Sequence, residues 1–200
     1  MFQIWLGNQL KKPNGFLSTW IGKYMEKGNY EINNWTFNLL DIRGNESILE
    51  IGIGNGSTLN RVAHHKTNGK NYGVDISKEM VRAARKLNQN FIETGQMDVK
   101  QSDIEDLPFD NDIFDKIYTV HTIYFWNDLD KGLREIFRLL KPNGTLFISF
   151  TDKSHLKKMK RTQNFNLVDN QELEDRLKMN HFREIKIHNK GAHWCIEAKK

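Results

Sequence analysis

The sequence is poor in cysteine and has no long apolar run, and each shortage excludes a class of protein. Cys195 is the only cysteine among 200 residues, so the chain has no internal disulfide and no cysteine metal cluster. No stretch approaches the ~20 apolar residues that a membrane-spanning helix needs. The N-terminus also lacks the positive flank and long apolar segment of a signal peptide. We therefore expect a soluble cytoplasmic protein.

Metal-ligand patterns are lacking as well. The chain has seven histidines, but no pair stands at a recognised ligand spacing backed by carboxylates or thiols. His64 and His65 are merely adjacent on a polar segment. We expect neither a structural nor a catalytic metal.

Positive charge is present but unevenly placed. The net charge is +5, from 30 basic and 25 acidic residues. Residues 1–150 hold 18 of each sign, whereas residues 151–200 hold 12 basic and 7 acidic residues. A basic region can attract nucleic acid or a membrane surface. The excess of lysine over arginine fits a compositional bias equally well, so the charge alone does not identify a partner.

Short apolar runs alternate with helical stretches from residue 47 onward, which predicts βαβ units and a mostly parallel sheet covered by helices on both faces. The clearest helices are 78–87, which Ser77 can cap, and 129–140. The five apolar runs lie at 47–51, 71–75, 97–101, 114–120 and 145–150.

The end of the chain has a different pattern. A helix at 171–179 precedes two alternating segments, 183–188 and 193–198, which are separated by turn residues at 189–191. They predict an antiparallel hairpin that closes one edge of the sheet. The predicted fold is therefore α/β and doubly wound, with a mostly parallel seven-stranded sheet and a C-terminal antiparallel hairpin.

The N-terminal region is predicted to be helical. Five apolar residues share one helical face, and a second helix is expected at 30–40, with Gly44 as its stop signal. We assign 1–28 to a helical lid or cap and 29–200 to a single domain. The five residues are Phe16, Leu17, Trp20, Ile21 and Tyr24.

The strongest motif is EIGIGNGS at 50–57, which follows the first strand and precedes a helix. Glycines let the backbone turn tightly and approach a ligand closely. A dinucleotide-binding loop has glycines at relative positions 1, 3 and 6. Here Gly52, Gly54 and Gly56 stand at positions 1, 3 and 5, and Glu50 precedes them. This spacing disfavours the alternative of an NAD(P)-dependent oxidoreductase.

Four further motifs follow in order: GVDISKEM at 73–80, SDIEDLPF at 102–109, FDKI at 114–117 and LLKPNGTL at 139–146. With the glycine loop, they make the chain resemble the class I S-adenosylmethionine-dependent methyltransferases, which have a Rossmann-like fold. The similarity is to the small bacterial enzymes that resemble the ubiquinone and menaquinone biosynthesis methyltransferases. It covers roughly residues 29–150.

The resemblance implies S-adenosylmethionine as the cofactor. In such enzymes the glycine loop bends under the methionine part, and a carboxylate like Asp75 accepts hydrogen bonds from both ribose hydroxyls. Asp103 resembles the residue that binds the adenine amine, although Asp98 and Asp106 are alternatives. The expected cofactor-binding residues are Glu50, Gly52, Gly54, Gly56, Asp75, Ile76, Asp103 and Ile104.

The segment HTIYFWND at 121–128 follows the fourth strand, where an acceptor would bind. His121 is either a base that removes a proton from the acceptor or a wall residue that bonds the backbone. Tyr124 and Trp126 either line the acceptor pocket or pack under the next helix. The segment has no Asn/Asp-Pro-Pro-Tyr/Phe motif, and Cys195 lies in the last strand, so methylation of nucleic-acid bases is disfavoured.

We therefore expect methyl transfer to the O, N or C atom of a small molecule. The alternative is an RNA- or protein-directed enzyme that uses the basic C-terminal quarter. Two features stay open. Trp20, Tyr24, Phe16 and Met25 either form a lid or cover the sheet edge. The segment 153–161 either docks an anionic group or a membrane at the acceptor site or is a plain loop, and its basic residues are Lys153, Lys157, Lys158, Lys160 and Arg161.

Overall fold

A seven-stranded sheet in the order β3-β2-β1-β4-β5-β7-β6 organises the chain in the computed structural model, which describes residues 2–11, 18–65 and 69–200. Strands β1 to β5 are parallel, and β7 runs antiparallel to both β5 and β6. The strands are β1 (Ile48–Ile51), β2 (Asn71–Asp75), β3 (Met97–Gln101), β4 (Phe114–Val120), β5 (Leu140–Thr151), β6 (Arg183–Lys190) and β7 (His193–Lys199).

Helices cover both faces of the sheet, because alternate residues of each buried strand point to opposite sides. On one face, Phe37, Val62 and Val81 of α2, α3 and α4 belong to the cores of that side. Leu133 of α6 and Leu173 of α8 lie in the core of the other face. The helices are α1 (Phe2–Lys11), α2 (Ser18–Leu39), α3 (Ser57–His64), α4 (Lys78–Leu87), α5 (Gln89–Glu93), α6 (Leu129–Leu139), α7 (Lys153–Leu156) and α8 (Asn170–Met179).

The predicted fold class is confirmed: the sheet is doubly wound and mostly parallel, and it ends in an antiparallel hairpin. Ser77 caps α4 as expected, accepting a hydrogen bond from the Met80 N–H at 3.3 Å. The hairpin turn is shorter than predicted, because Lys190 pairs directly with His193. Gly191 has a φ of +63°, a conformation that suits glycine at the start of a two-residue turn.

The prediction of a separate helix at 30–40 is wrong, because α2 is one continuous helix from Ser18 to Leu39. Ile21 and Ile32 are both fully buried, and their packing outweighs the ~1 kcal/mol that Gly28 costs in a helix interior. The expected boundary between a lid at 1–28 and a domain at 29–200 therefore falls inside a helix. Phe16 and Leu17 lie outside the described residues.

Candidate functional site

A cleft opens at the carboxyl ends of β1 and β4, where the strand order reverses. The chain moves outward from β1 through β2 to β3, and then returns to place β4 on the other side of β1. Such a switch point is where open α/β sheets bind ligands. The cleft has a volume of about 1100 Å³, including its open mouth. It is lined by residues of the glycine loop, the end of β2, the segment 121–127 and helix α2.

Asp75 stands at the end of β2, and its carboxylate faces the glycine loop. Oδ2 accepts a hydrogen bond from the Gly54 N–H at 2.9 Å, and Oδ1 accepts one from the Ser77 N–H at 2.8 Å. Burial raises the pKa of Asp75 to about 6, even though both N–H donors act to lower it. Each oxygen keeps a lone pair that can accept a further hydrogen bond.

Glu50, in β1, lies deeper in the cleft and is almost fully buried. The Tyr118 hydroxyl donates to its Oε2 at 2.8 Å, because β1 pairs with β4 in a register that sets Glu50 beside Tyr118. Burial raises the pKa of Glu50 to about 8, the Tyr118 bond opposes this rise, and the negative charge of Asp75 adds to it. The described residues that line the cleft include the four carboxyl groups of Glu26, Glu50, Asp75 and Asp103 and the single amino group of Lys11, so the cleft favours a ligand that carries positive charge.

The three glycines of the loop do different things. Gly52 and Gly54 line the cleft, whereas Gly56 is buried at the start of α3, where a Cβ would come within 2.7 Å of the Ala84 Cβ. A Cβ on Gly52 would collide with the Thr122 side chain. Only Gly54 has open space in front of it, with no atom within 4 Å of an added Cβ. Gly56 packs against α4 and is not among the described lining residues, so its cofactor-binding role stays a prediction.

The candidate adenine end of the cleft contains the residues expected there. Ile76, Asp103 and Ile104 all line the cleft. Asp98 instead pairs with Lys100 on β3, and neither it nor Asp106 is among the lining residues that the structure describes. Of the three alternative carboxylates, Asp103 is thus the one at the cleft.

His121 lies where β4 ends, in a left-handed conformation with a φ of +58°. Its Nδ1 is 3.0 Å from Asn29 Oδ1, and its Nε2 is 2.8 Å from Thr151 Oγ1. Thr151 Oγ1 in turn lies 3.0 Å from His193 Nδ1. Burial, with a smaller effect of His193, lowers the pKa of His121 to about 3, so the ring is neutral at physiological pH.

Tyr124 and Trp126, which follow His121 in the chain, have different surroundings. Tyr124 packs away from the cleft, and its hydroxyl accepts a hydrogen bond from the Thr151 N–H at 2.5 Å. Trp126 lines the cleft and also packs against Gly132 of α6, so both of its expected roles apply. Tyr124 therefore packs inside the fold and does not line an acceptor pocket.

Two aromatic residues of α2, Trp20 and Tyr24, are not among the described lining residues of the cleft. They stack on each other and remain 54% and 38% exposed, so the lid and the cover over the sheet edge both stay predictions for them. Met25 does line the cleft, and Phe16 lies outside the described residues.

The helices that cover the cleft supply polar residues that the sequence pattern did not indicate. Asn29, Asn33 and Glu26 of α2 line it. Glu26 accepts a hydrogen bond from the Asn55 amide of the glycine loop at 2.7 Å. These contacts join parts of the chain that are far apart in sequence, so no local sequence motif predicts them.

The basic segment 153–161 lies away from the cleft. Lys153 pairs with Asp169 and Glu172 at 3.7 and 3.8 Å, and Arg161 packs through its backbone against Gly7 of α1. None of the basic residues of this segment is among the described lining residues. Of the two alternatives for this segment, these contacts favour the plain surface segment over docking at the acceptor site.

No helix in residues 2–11, 18–65 and 69–200 is both long and apolar enough to cross a membrane. Within the same ranges, no three or more His, Cys, Asp and Glu side chains form a cluster that could hold a metal ion.

A doubly wound sheet with a glycine loop and a strand-end carboxylate at its switch point defines the class of α/β proteins that hold a nucleoside cofactor in this crevice. Comparison with known proteins narrows the class. A family model described as a methyltransferase domain matches residues 49–148.

Relatives and solved structures agree with this match. The chain is 31% identical over 169 residues to the putative methyltransferase YrhH of Bacillus subtilis, covering 84% of this chain and 86% of the relative. It is 27% identical over 132 residues to the ubiquinone/menaquinone biosynthesis C-methyltransferase UbiE of Pasteurella multocida, covering 66% of this chain and 49% of that protein.

Among solved structures, an S-adenosylmethionine-dependent methyltransferase from Aquifex aeolicus superposes with a TM-score of 0.77 at 20% identity, covering 92% of this chain and 99% of that one. This likeness supports the fold. Taken with the family match, it leads to one conclusion: the chain belongs to the class I S-adenosylmethionine-dependent methyltransferases, and its cofactor is S-adenosylmethionine.

Proposed function

We propose that the cleft binds S-adenosylmethionine in one orientation and methylates a small molecule beside His121. The observation that carries the orientation is the Asp75 carboxylate, which is held by the Gly54 and Ser77 N–H groups with a lone pair free on each oxygen. A two-oxygen acceptor of this kind suits the paired hydroxyls of a ribose. Ile76, Asp103 and Ile104 then border the adenine.

We place the methionine part of S-adenosylmethionine on the side of Asp75 that is opposite the adenine. The open space in front of Gly54 lets the backbone approach a ligand closely. The buried Glu50 beside it gains a positive partner when a sulfonium and an ammonium group bind. S-adenosylmethionine supplies a methyl group that is already activated, so the protein mainly has to orient donor and acceptor and exclude water.

The acceptor side is formed by α2 and by the segment after β4. Met25, Phe125 and Trp126 give it apolar and aromatic walls, while Asn29 and His121 give it polar groups. Such a mixture suits a small, partly apolar molecule. Related proteins include both O-methyltransferases and C-methyltransferases, so the acceptor atom is O, N or C. We place this activity in the cytoplasm, since the chain has no long apolar segment.

A two-stage experiment tests the proposal. S-adenosylhomocysteine at saturating concentration should raise the Tm, because a ligand that binds only the folded state stabilises it, whereas NAD(P)H should not. Release of S-adenosylhomocysteine is then measured with metabolite, RNA and protein extracts. Turnover with the metabolite extract alone is expected. Methyl incorporation only into RNA or protein would contradict the proposed acceptor class.

A further inference from the structure

A continuous chain of hydrogen-bonding groups connects the cleft with the protein surface. It begins at Asn29 and His121, which line the cleft, and continues through the buried Thr151 to His193. The three successive distances are 3.0, 2.8 and 3.0 Å, all within hydrogen-bonding range. His193 stands at the start of β7 and is only partly buried, so the far end of the chain reaches solvent.

The chemistry of the groups allows the chain to be polarised in either direction. With Asn29 Oδ1 as the acceptor, the proton of neutral His121 is on Nδ1, its Nε2 accepts from the Thr151 hydroxyl, and Thr151 accepts from His193 Nδ1. In the opposite polarity, the His121 proton is on Nε2, Thr151 donates to His193, and the His121 Nδ1 lone pair faces the cleft. A hydroxyl between two imidazoles can both donate and accept, so it can pass a proton on.

We propose that His121, Thr151 and His193 form a proton relay that takes a proton from the acceptor, and that the acceptor therefore carries a removable proton on the atom that is methylated. This inference rests on the proposed function. The acceptor atom takes the place of the Asn29 amide at Nδ1 of His121. His121 is then a catalytic residue, and Thr151 and His193 act through it.

The proton and electron balance of the step is simple. The acceptor atom loses its proton to Nδ1 of His121 and uses the freed electron pair to bond the methyl carbon, while the pair of the broken carbon–sulfur bond stays on sulfur. The Nε2 proton of His121 moves to Thr151, and the Thr151 hydroxyl proton moves to Nδ1 of His193. His193 then releases its Nε2 proton to solvent. To restore the starting polarity, Nδ1 of His121 gives its proton to water in the open cleft, while a proton from solvent returns through His193 and Thr151 to Nε2 of His121. Over the full cycle, one proton leaves the acceptor and one proton is released to water.

This mechanism distinguishes between acceptor classes. A hydroxyl, an acidic N–H group such as that of an amide or a ring, or an acidic C–H group loses a proton when it is methylated, so turnover on it needs the relay. A neutral amine or a thioether reacts through a lone pair and needs none. The structure thus favours acceptors of the first class.

The relay also predicts the pH dependence. Burial lowers the pKa of His193 below its usual value, His155 and Lys190 add to this, and the Glu31 carboxylate opposes it. Protonated His193 has no lone pair on Nδ1 and cannot accept the Thr151 proton. Turnover should therefore fall as the pH drops through a value below 6.5, while cofactor binding does not follow that titration.

The first experiment needs no acceptor. Imidazole ¹⁵N spectra are recorded for the wild type, Thr151→Val and Thr151→Ser, each with S-adenosylhomocysteine. Thr151→Val should change the ¹⁵N chemical shifts of the ring nitrogens in both His121 and His193, and Thr151→Ser should restore the wild-type chemical shifts. Unchanged ring shifts in Thr151→Val would show that the chain does not exist in solution and would overturn the proposal.

The second experiment uses the extract fraction with which the wild-type protein releases S-adenosylhomocysteine. Thr151→Val and His193→Ala should each lower kcat by about ten-fold or more, on the scale of lost general-base catalysis, without changing the S-adenosylhomocysteine Kd. Thr151→Ser should recover turnover, and added imidazole should rescue His193→Ala but not Thr151→Val. Wild-type kcat and pH profiles in both variants would overturn the relay.

Thr36→Val is the matched control. The Thr36 hydroxyl is also buried and donates to Ser149 Oγ of β5 at 2.6 Å, but Thr36 is not among the described lining residues of the cleft. It should lower the Tm without changing the pH profile. A wild-type protein that is not stabilised by S-adenosylhomocysteine would contradict the proposed function itself, and the ring spectra would then decide whether the chain exists.

Discussion

The two ends of β1 carry two glutamates in opposite electrostatic situations. Glu46, before the strand, pairs with Lys116 at 2.7 Å and accepts hydrogen bonds from the Arg43 and Gly44 N–H groups. These partners hold its pKa below the usual value, although burial acts to raise it. Glu50, near the other end, has the Tyr118 hydroxyl instead of a lysine, and its pKa is raised to about 8.

The strand pairing creates both situations, because β4 places Lys116 near one glutamate and Tyr118 beside the other. At the end away from the cleft, the charge is compensated and contributes to stability. At the cleft, the carboxyl group is buried and has no ion pair with any residue that the structure describes, which costs stability and is useful only when a cationic ligand supplies the missing charge. The difference separates the structural end of the strand from the functional one.

The largest effect is expected at the structural end. Glu46→Ala leaves Lys116 largely buried and removes the acceptor of two backbone N–H groups, so it should lower the free energy of unfolding by about 3 kcal/mol. Urea denaturation measures the change. The S-adenosylhomocysteine Kd should stay within two-fold of the wild-type value. A large loss of affinity would contradict the proposal that one end of β1 serves stability and the other serves binding.

Next in size is the loss of cofactor affinity in Asp75→Ala. The variant removes the acceptor of the Gly54 and Ser77 N–H groups together with the proposed ribose ligand, so the Kd should rise about ten-fold or more. Isothermal titration calorimetry with S-adenosylhomocysteine measures it. Glu46→Ala is the matched control, and an unchanged Kd in Asp75→Ala would remove this residue from the binding site.

The effect of Glu50→Gln depends on pH and is the smallest of the three only at low pH. Because burial raises the pKa of folded Glu50 from 4.5 to about 8, the unfolded chain ionises first as the pH rises. Wild-type stability from this group is full below pH 4.5 and is lost as the pH approaches 8. Glu50→Gln abolishes the loss, so its Tm should exceed that of the wild type at pH 8, and the difference should be smaller at pH 5.

The same variant sharpens the comparison on the binding side. S-adenosylmethionine should bind Glu50→Gln more weakly than the wild type, and the deficit should grow between pH 6 and pH 8, since only the wild-type carboxyl group can ionise. The titration of the ligand's own amino group is common to both proteins and cancels. A Tm difference that does not change with pH would mean that Glu50 is already ionised in the free protein.

Much of the fold could be predicted from local patterns. Strands β2, β3 and β4 and helix α4 lie where periodicity and capping place them, because apolar alternation and a serine cap act over a few residues. The extent of α2 could not be predicted, since Gly28 weakens the local helix signal and burial of Ile21 and Ile32 overrides it. In such cases tertiary packing outweighs the intrinsic helix propensity of single residues.

The candidate site divides in the same way. Asp75, Asp103 and the residues of the glycine loop stand in ordered motifs, and all of them except Gly56 line the cleft. Gly56 has the right spacing, but it serves the packing of α3 against α4. Spacing along the chain indicates which residues are near a turn, but it does not show which side of the turn meets a ligand.

The sequence by itself determined the order of strands and helices, the family and the end of the sheet where the cofactor belongs, because each depends on motifs only a few residues long. Only the tertiary structure decided that Asn29, His121, Thr151 and His193 form one chain, and that Glu50 is bound by the Tyr118 hydroxyl where Glu46 is paired with Lys116. Hydrogen bonds and burial depend on neighbours brought together by strand pairing and by α2 from distant parts of the chain.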